Sequence, residues 1–237
     1  MDNGLSSHEE KVRAEQFPDS DLLEQREDLI FVFPGCFSKD GGEVANQLQS
    51  SFNFLKDITS VDPTTELKSR VVIGFTKQST QPNWSGLKGN RIHLPWNKLS
   101  KSCEPQDACS HELIHPFYRC SPIHDRNEGW GDGFCDFLRG PLKNKMGLDG
   151  NSWWEKMIEA GQRTPKGEYS YPAGQLVLKL FEKYGDCGES VNDLIKNKAA
   201  LKSFIKFLFC NFKETSLSSF IKPSPEMINK WNKKGKI

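Results

Sequence analysis

A chain of 237 residues with a formal charge of +1 is long enough for one domain, or one domain of two lobes, around a substantial buried core. The near-neutral balance excludes strong electrostatic steering toward nucleic acid or anionic lipid, and no apolar run approaches the ~18 residues of a membrane span. The polar, acidic start is unlike a signal peptide, and seven cysteines, an odd count, fit reduced thiols; a cytoplasmic protein is expected, with export by another route left open.

Residues 1–27 are charged with little apolar periodicity, which predicts a mobile acidic arm or a frayed helix. Leu29-Ile30-Phe31-Val32-Phe33, closed by Pro34-Gly35, reads as a buried strand. Gly41-Gly42 lead into a helix, in which Val44, Leu48, Phe52, Leu55 and Ile58 form one apolar stripe. Asp62-Pro63 predicts a turn, and 70–76 a second buried strand. Strand, helix, strand implies a right-handed crossover and parallel pairing. Residues 77–90 are polar with Pro82, Gly86 and Gly89 and predict a loop. Arg91-Ile92-His93-Leu94-Pro95 reads as a short strand that Pro95 marks as an edge.

After a polar loop over 96–106, a helix is predicted from about Asp107 to Tyr118, capped by Ser110 or near Asp107. A linker over 119–126 contains Pro122. The next helix spans about 127–139 and is expected to stop at Gly140-Pro141. Trp153 to Ile158 begins a short helix, and a loop over 162–172 delivers Tyr171 to the head of an apolar helix ended by Gly185. Residues 190–212 predict one or two further helices before Pro223, Pro225 and a basic tail. The expected divisions are therefore the arm 1–27, a folded body 28–215 with lobes at about 28–118 and 126–215, and the tail 216–237.

The chemistry concentrates in His111-Glu112-Leu113-Ile114-His115. Residues four apart on a helix are rotated by a net ~40°, so His111 and His115 share a face and can offer two imidazoles to one ion. Glu112 projects from the neighbouring turn, where a carboxylate can reach a water on the metal. A surface helix with two exposed histidines would carry the same letters, but the apolar pair Leu113-Ile114 fits a buried helix better. A catalytic zinc site needs a third protein ligand and an open fourth position. Twelve residues beyond His115 comes Asn127-Glu128-Gly129-Trp130-Gly131-Asp132.

The two segments together resemble the gluzincin zinc peptidases, which include thermolysin and the zinc aminopeptidases and carry an Asn-Glu-x-x-x-Asp pattern on their second helix. That resemblance implies one zinc ion per chain, held by His111, His115 and Glu128. Glu112 would be general base, and Asp132 the carboxylate holding the ring of His111. Tyr171-Pro172-Ala173-Gly174 resembles the Tyr-x-x-Gly of the zinc aminopeptidases, which implies that Tyr171, or else Tyr169, stabilises an oxyanion; the alternative is a packing tyrosine. In zincins the strand before the active-site helix is an edge that pairs with substrate backbone, which implies that job for Ile92, His93 and Leu94 by strand addition. An ordinary edge strand is the alternative. Glu128 to Gly140 is also similar to plant basic secretory proteins.

Two departures stand out. The gap from His115 to Glu128 is shorter than usual in the family, and the aminopeptidase segment that recognises a free amino terminus is not visible. His124 is a rival third ligand, but it lies nine residues after His115 where the metzincin pattern needs six. The expected fold is a zincin-like α/β (α+β) protein: a small lobe with a mixed sheet and edge strand, an active-site helix, and a mostly helical second lobe. The expected function is peptide-bond hydrolysis on a peptide or protein substrate. The alternative is a zincin-fold protein that binds a peptide without cutting it, its metal structural or residual.

Overall fold

Five consecutive apolar residues can all be buried only if both faces of their strand are covered. Leu29–Phe33 is buried at every position in the computed structural model. That structure describes residues 5–17, 22–33, 41–76, 83–84, 90–95, 105–124, 128–163, 169–185 and 190–212. The chain divides into two compact units, Met1–Phe54 with Asp62–Pro116, and Leu55–Val61 with Phe117–Ile237. The fold is mixed α+β, as expected, with a small mixed sheet and a largely helical remainder.

In the first unit, β1 (Leu22–Gln25), β2 (Leu29–Phe33), β3 (Val71–Thr76), β4 (Asn83–Trp84) and β5 (Arg91–Pro95) form one sheet in the order β1-β2-β3-β5-β4. β2 and β3 pair in parallel with Leu29 opposite Val71, and β3 and β5 pair in parallel with Ile73 opposite Ile92. The parallel pairing follows from the crossover through α2 (Gly41–Thr59), whose Val44, Leu48 and Phe52 are buried. The expected turn at Asp62-Pro63 is instead the head of a short helix, α3 (Pro63–Leu67). Asp62 caps it by accepting from the Thr64 amide, and Pro63 sits where a missing N–H is harmless.

Residues 5–17, expected as part of a mobile arm or a frayed helix, hold a docked helix. α1 (Ser7–Gln16) starts with a Ser6–Glu9 capping box. Its Val12, with Phe17 beyond it, is buried against Ile30, Val32 and Val72. Arg70 Nε and Nη2 donate to the Glu9 carboxylate at 3.0 and 2.9 Å. The Phe17 ring occupies the space beside Gly74, where a Cβ would come within 2.1 Å of it. The sequence hid this because α1 needs only Val12 and Phe17, too few apolar residues to show a period. The opposite face of the sheet carries Phe31, Ile73, Ile92 and Leu94, all fully buried.

The expected edge position of Ile92, His93 and Leu94 is also corrected. β4 pairs antiparallel with β5, Asn83 opposite His93 and Trp84 opposite Ile92, so β4 is the outer strand. A two-residue strand inside a polar, Gly- and Pro-bearing stretch has no periodicity to betray it.

In the second unit, α6 (Glu128–Lys145), α7 (Gly150–Arg163) and α8 (Ser170–Tyr184) pack against one another, with α9 (Val191–Lys196) and α10 (Lys198–Asn211) beside them. Phe137 stacks on Trp154 with ring centroids 5.7 Å apart and meets Phe204 edge-on at 5.8 Å. The stop expected at Gly140-Pro141 does not occur; α6 runs through Pro141 to Lys145. Pro141 has no N–H for the carbonyl four residues back, that of Phe137. Trp154 Nε1 donates to that carbonyl at 2.7 Å instead, and Trp153 Nε1 donates to the Asp136 carbonyl at 2.8 Å. α9 and α10 are separated at Asn197, whose side chain accepts from the Ala200 amide and caps α10. The tail 216–237 lies outside the described residues.

Candidate metal centre

The HExxH segment is not one unbroken helix. α4 (Pro105–Glu112) ends before Leu113-Ile114, and α5 (His115–Arg119) follows. Pro116 is the cause: it has no N–H to return to the Glu112 carbonyl, and its ring crowds that carbonyl. The turn tightens locally. The Leu113 amide still reaches back to the Cys109 carbonyl at 2.9 Å, whereas the Ile114 amide reaches only to His111, at 3.1 Å. Ser110 is not a cap: it is buried inside α4 and donates to the Asp107 carbonyl at 2.7 Å.

Cys109, Leu113 and Ile114 are fully buried and anchor the segment. Burial, and then the Glu112 carboxylate, push the Cys109 thiol far above its ordinary range, so it remains a thiol. His111 and His115 are half-buried, with ring centroids 4.9 Å apart and planes crossed at 71°. Glu112 is 8% exposed, and its Oε2 stands 3.7 Å from His115 Nε2. The tightened turn therefore leaves the two imidazoles together, with the proposed base beside them.

α6 carries the second part of the pattern. Glu128 opens the helix; the position of its side chain lies outside the described residues. Asp132 is half-buried, and Cys135 is fully buried. Positions 128, 132 and 135 are separated by four and three residues, so one stripe of the helix holds all three. His111 and His115 belong to the first unit and Cys135 to the second, and each offers one ligand atom of a kind that zinc takes. Two imidazoles with a thiolate or a carboxylate are a donor set that suits zinc.

Cys135 is the residue that the sequence reading passes over. The seven cysteines lack the paired spacing of a zinc ribbon. The usable signal was that Cys135 lies two helical turns beyond Glu128, on the same face.

His124, the rival third ligand, is engaged elsewhere. Arg119 Nη1 donates to its Nε2 at 3.0 Å, and its ring packs 5.4 Å from that of Tyr118. Trp130 is buried. Ile92 and Leu94 are fully buried, and the His93 ring packs 4.8 Å from that of Phe17. Burial and then Arg91 hold the His93 imidazole below its ordinary pKa.

Tyr171 is half-buried in the first turn of α8, so a helix rather than a loop presents it. Tyr169, the fallback, is the helix cap residue and is 51% exposed.

Among the described residues, no helix is long and apolar enough to cross a membrane. No protein-family profile matches the chain, and no curated protein matches it. Among solved structures, the chain is similar to the M1 zinc metallopeptidase from Deinococcus radiodurans, with 15% identity, a TM-score of 0.47, and coverage of 87% of this chain and 53% of that one. A glutamate-to-alanine mutant of the M1 zinc metallopeptidase from that organism gives 14% identity and a TM-score of 0.48, again over 87% of this chain and 53% of that one. A two-domain M1 zinc metallopeptidase mutant bound to L-tryptophan gives 14% and 0.49, over 91% of this chain and 48% of that one. The chain thus spans about half the length of these structures.

Proposed function

We propose that this chain is a zinc-dependent metallopeptidase acting on a peptide or protein substrate. The observation that carries the reading is the trio within the HExxH segment: His111 and His115 with rings 4.9 Å apart, and the buried Glu112 carboxylate 3.7 Å from His115. Burying a carboxylate costs free energy, which a neighbouring cation offsets.

His111 and His115 supply two of the zinc ligands. Glu128 supplies the third by the Asn-Glu-x-x-x-Asp pattern, with Asp132 orienting the ring of His111. Cys135 on the same stripe is the other candidate for the third position. A zinc ion held there would lower the pKa of water toward neutrality and would polarise the scissile carbonyl. Glu112 takes the proton from the attacking water and later delivers it to the leaving amine. The Tyr171 hydroxyl donates to the developing oxyanion, an interaction that strengthens only in the transition state.

The test is Glu112→Gln, assayed for zinc content and for turnover on a peptide library. The variant is expected to keep one zinc per chain and lose turnover. Full turnover in the variant removes Glu112 from the proton path. One zinc per chain with no peptide cleaved by the unaltered protein favours a zincin-fold module that binds a peptide without cutting it.

A further inference from the structure

The first turn of α8 sits where side chains would ordinarily keep it out. At Gly133 of α6, a Cβ would lie 2.5 Å from Pro172 Cβ and 3.1 Å from the Tyr169 carbonyl oxygen. At Gly161 of α7, a Cβ would lie 2.8 Å from the Ser170 carbonyl oxygen and 3.3 Å from Tyr171 Cα. The atoms met are a proline ring and backbone, neither of which can swing aside as a flexible side chain does. Two neighbouring helices thus approach Tyr169 to Pro172 through glycines, at contact distances no other residue permits.

The same turn lacks the usual device for fixing a helix start. Tyr169 makes no side-chain capping hydrogen bond. Downstream the helix is held independently, since Ala173, Leu176, Val177 and Leu180 are fully buried. A displaced first turn can therefore move Tyr171 while the body of α8 stays in place.

We infer that Gly133 and Gly161 are positioning residues that form a two-sided seat for Tyr171 and set where its hydroxyl stands; this rests on the peptidase reading above. Neither glycine touches the reacting atoms. A Cβ at either position pushes the Tyr169–Pro172 backbone off its packing surface, and a misplacement near 1 Å in a catalytic group lowers turnover by up to about a hundredfold.

The test has an arm that needs no substrate. Gly161→Ala and Gly133→Ala are compared with Ile205→Val, a mild core substitution in α10. Amide hydrogen exchange over 169–174 is expected to speed up at least about tenfold in the two alanine variants, with exchange over 176–184 unchanged. Exchange that rises equally over both stretches, or over neither, overturns the seat.

The second arm is kinetic. Gly161→Ala should lower kcat by about ten- to a hundredfold with KM little changed, and should cause little further loss when added to Tyr171→Phe. Ile205→Val should leave turnover unchanged. Full multiplication of the two losses in the double variant overturns the positioning role even if Tyr171 itself proves catalytic. If the unaltered protein cleaves nothing, or Tyr171→Phe turns over normally, the peptidase reading of Tyr171 fails, whereas the exchange arm still decides whether the seat exists.

Discussion

The indole N–H of Trp154 donates to the carbonyl of Phe137 at 2.7 Å, the oxygen that Pro141 leaves without a helical partner. The ring of Trp154 also stacks on that of Phe137, so one side chain both fills the core and satisfies the backbone. Trp154→Phe keeps most of the apolar volume and removes the donor. A buried carbonyl left unsatisfied costs about 1–3 kcal/mol, and the loss of ring area adds to it. Urea unfolding should show the variant less stable by at least about 1 kcal/mol. An unchanged midpoint and slope would mean that water or another donor reaches Phe137.

The docking of α1 should be sensitive to acid. Burial acts to raise the pKa of Glu9, but hydrogen bonds from Arg70 and Ser6 and the charge of Arg70 more than offset it, bringing Glu9 from 4.5 to about 2. A folded-state pKa below the unfolded one stabilises the native state above the unfolded value, and the benefit is lost as pH falls toward the folded one. Between pH 4.5 and about 2, unfolding midpoints should fall more steeply for the unaltered protein than for Glu9→Gln. Parallel curves for the two proteins would refute a stabilising Glu9–Arg70 pair.

Tyr171→Phe removes a hydroxyl and little else. If that hydroxyl meets the oxyanion, kcat should fall by roughly 10²-fold or more while zinc content stays the same. Tyr169→Phe, at the exposed cap position, should be close to neutral. The reverse pattern would move the role to Tyr169.

The third zinc ligand is decided by a chelator competition. Glu128→Ala should weaken zinc binding by more than Asp132→Ala, for which the loss of an orienting carboxylate predicts about 10- to 100-fold. Cys135→Ala should then have a smaller effect than either. Normal affinity in Glu128→Ala together with a large loss in Cys135→Ala would transfer the third position to the thiolate.

Much of the scaffold was legible because it rests on local patterns. The runs 29–33 and 70–76 could be read as buried strands, and they were found within a residue of their bounds, since a continuous apolar run has few other places to go. The misreadings share a cause. Pro141 looked like a helix stop because the sequence does not show which residue will supply the donor it lacks. β5 looked like an edge because the strand beyond it is two residues long. α1 looked like an arm or a frayed helix because its docking relies on one ion pair with Arg70, 61 residues away, and on a glycine beside Phe17.

By itself the sequence determined the HExxH pairing, since four-residue spacing on any near-helical backbone puts His111 beside His115 even where Pro116 tightens the turn. It determined the parallel core strands as well, through the crossover between them. Only the tertiary structure decided that α6 continues past Pro141 and that α8 begins on a pair of glycines. Those outcomes depend on which groups distant in the chain meet one another. Periodicity reports how an element faces the core, not what it meets there.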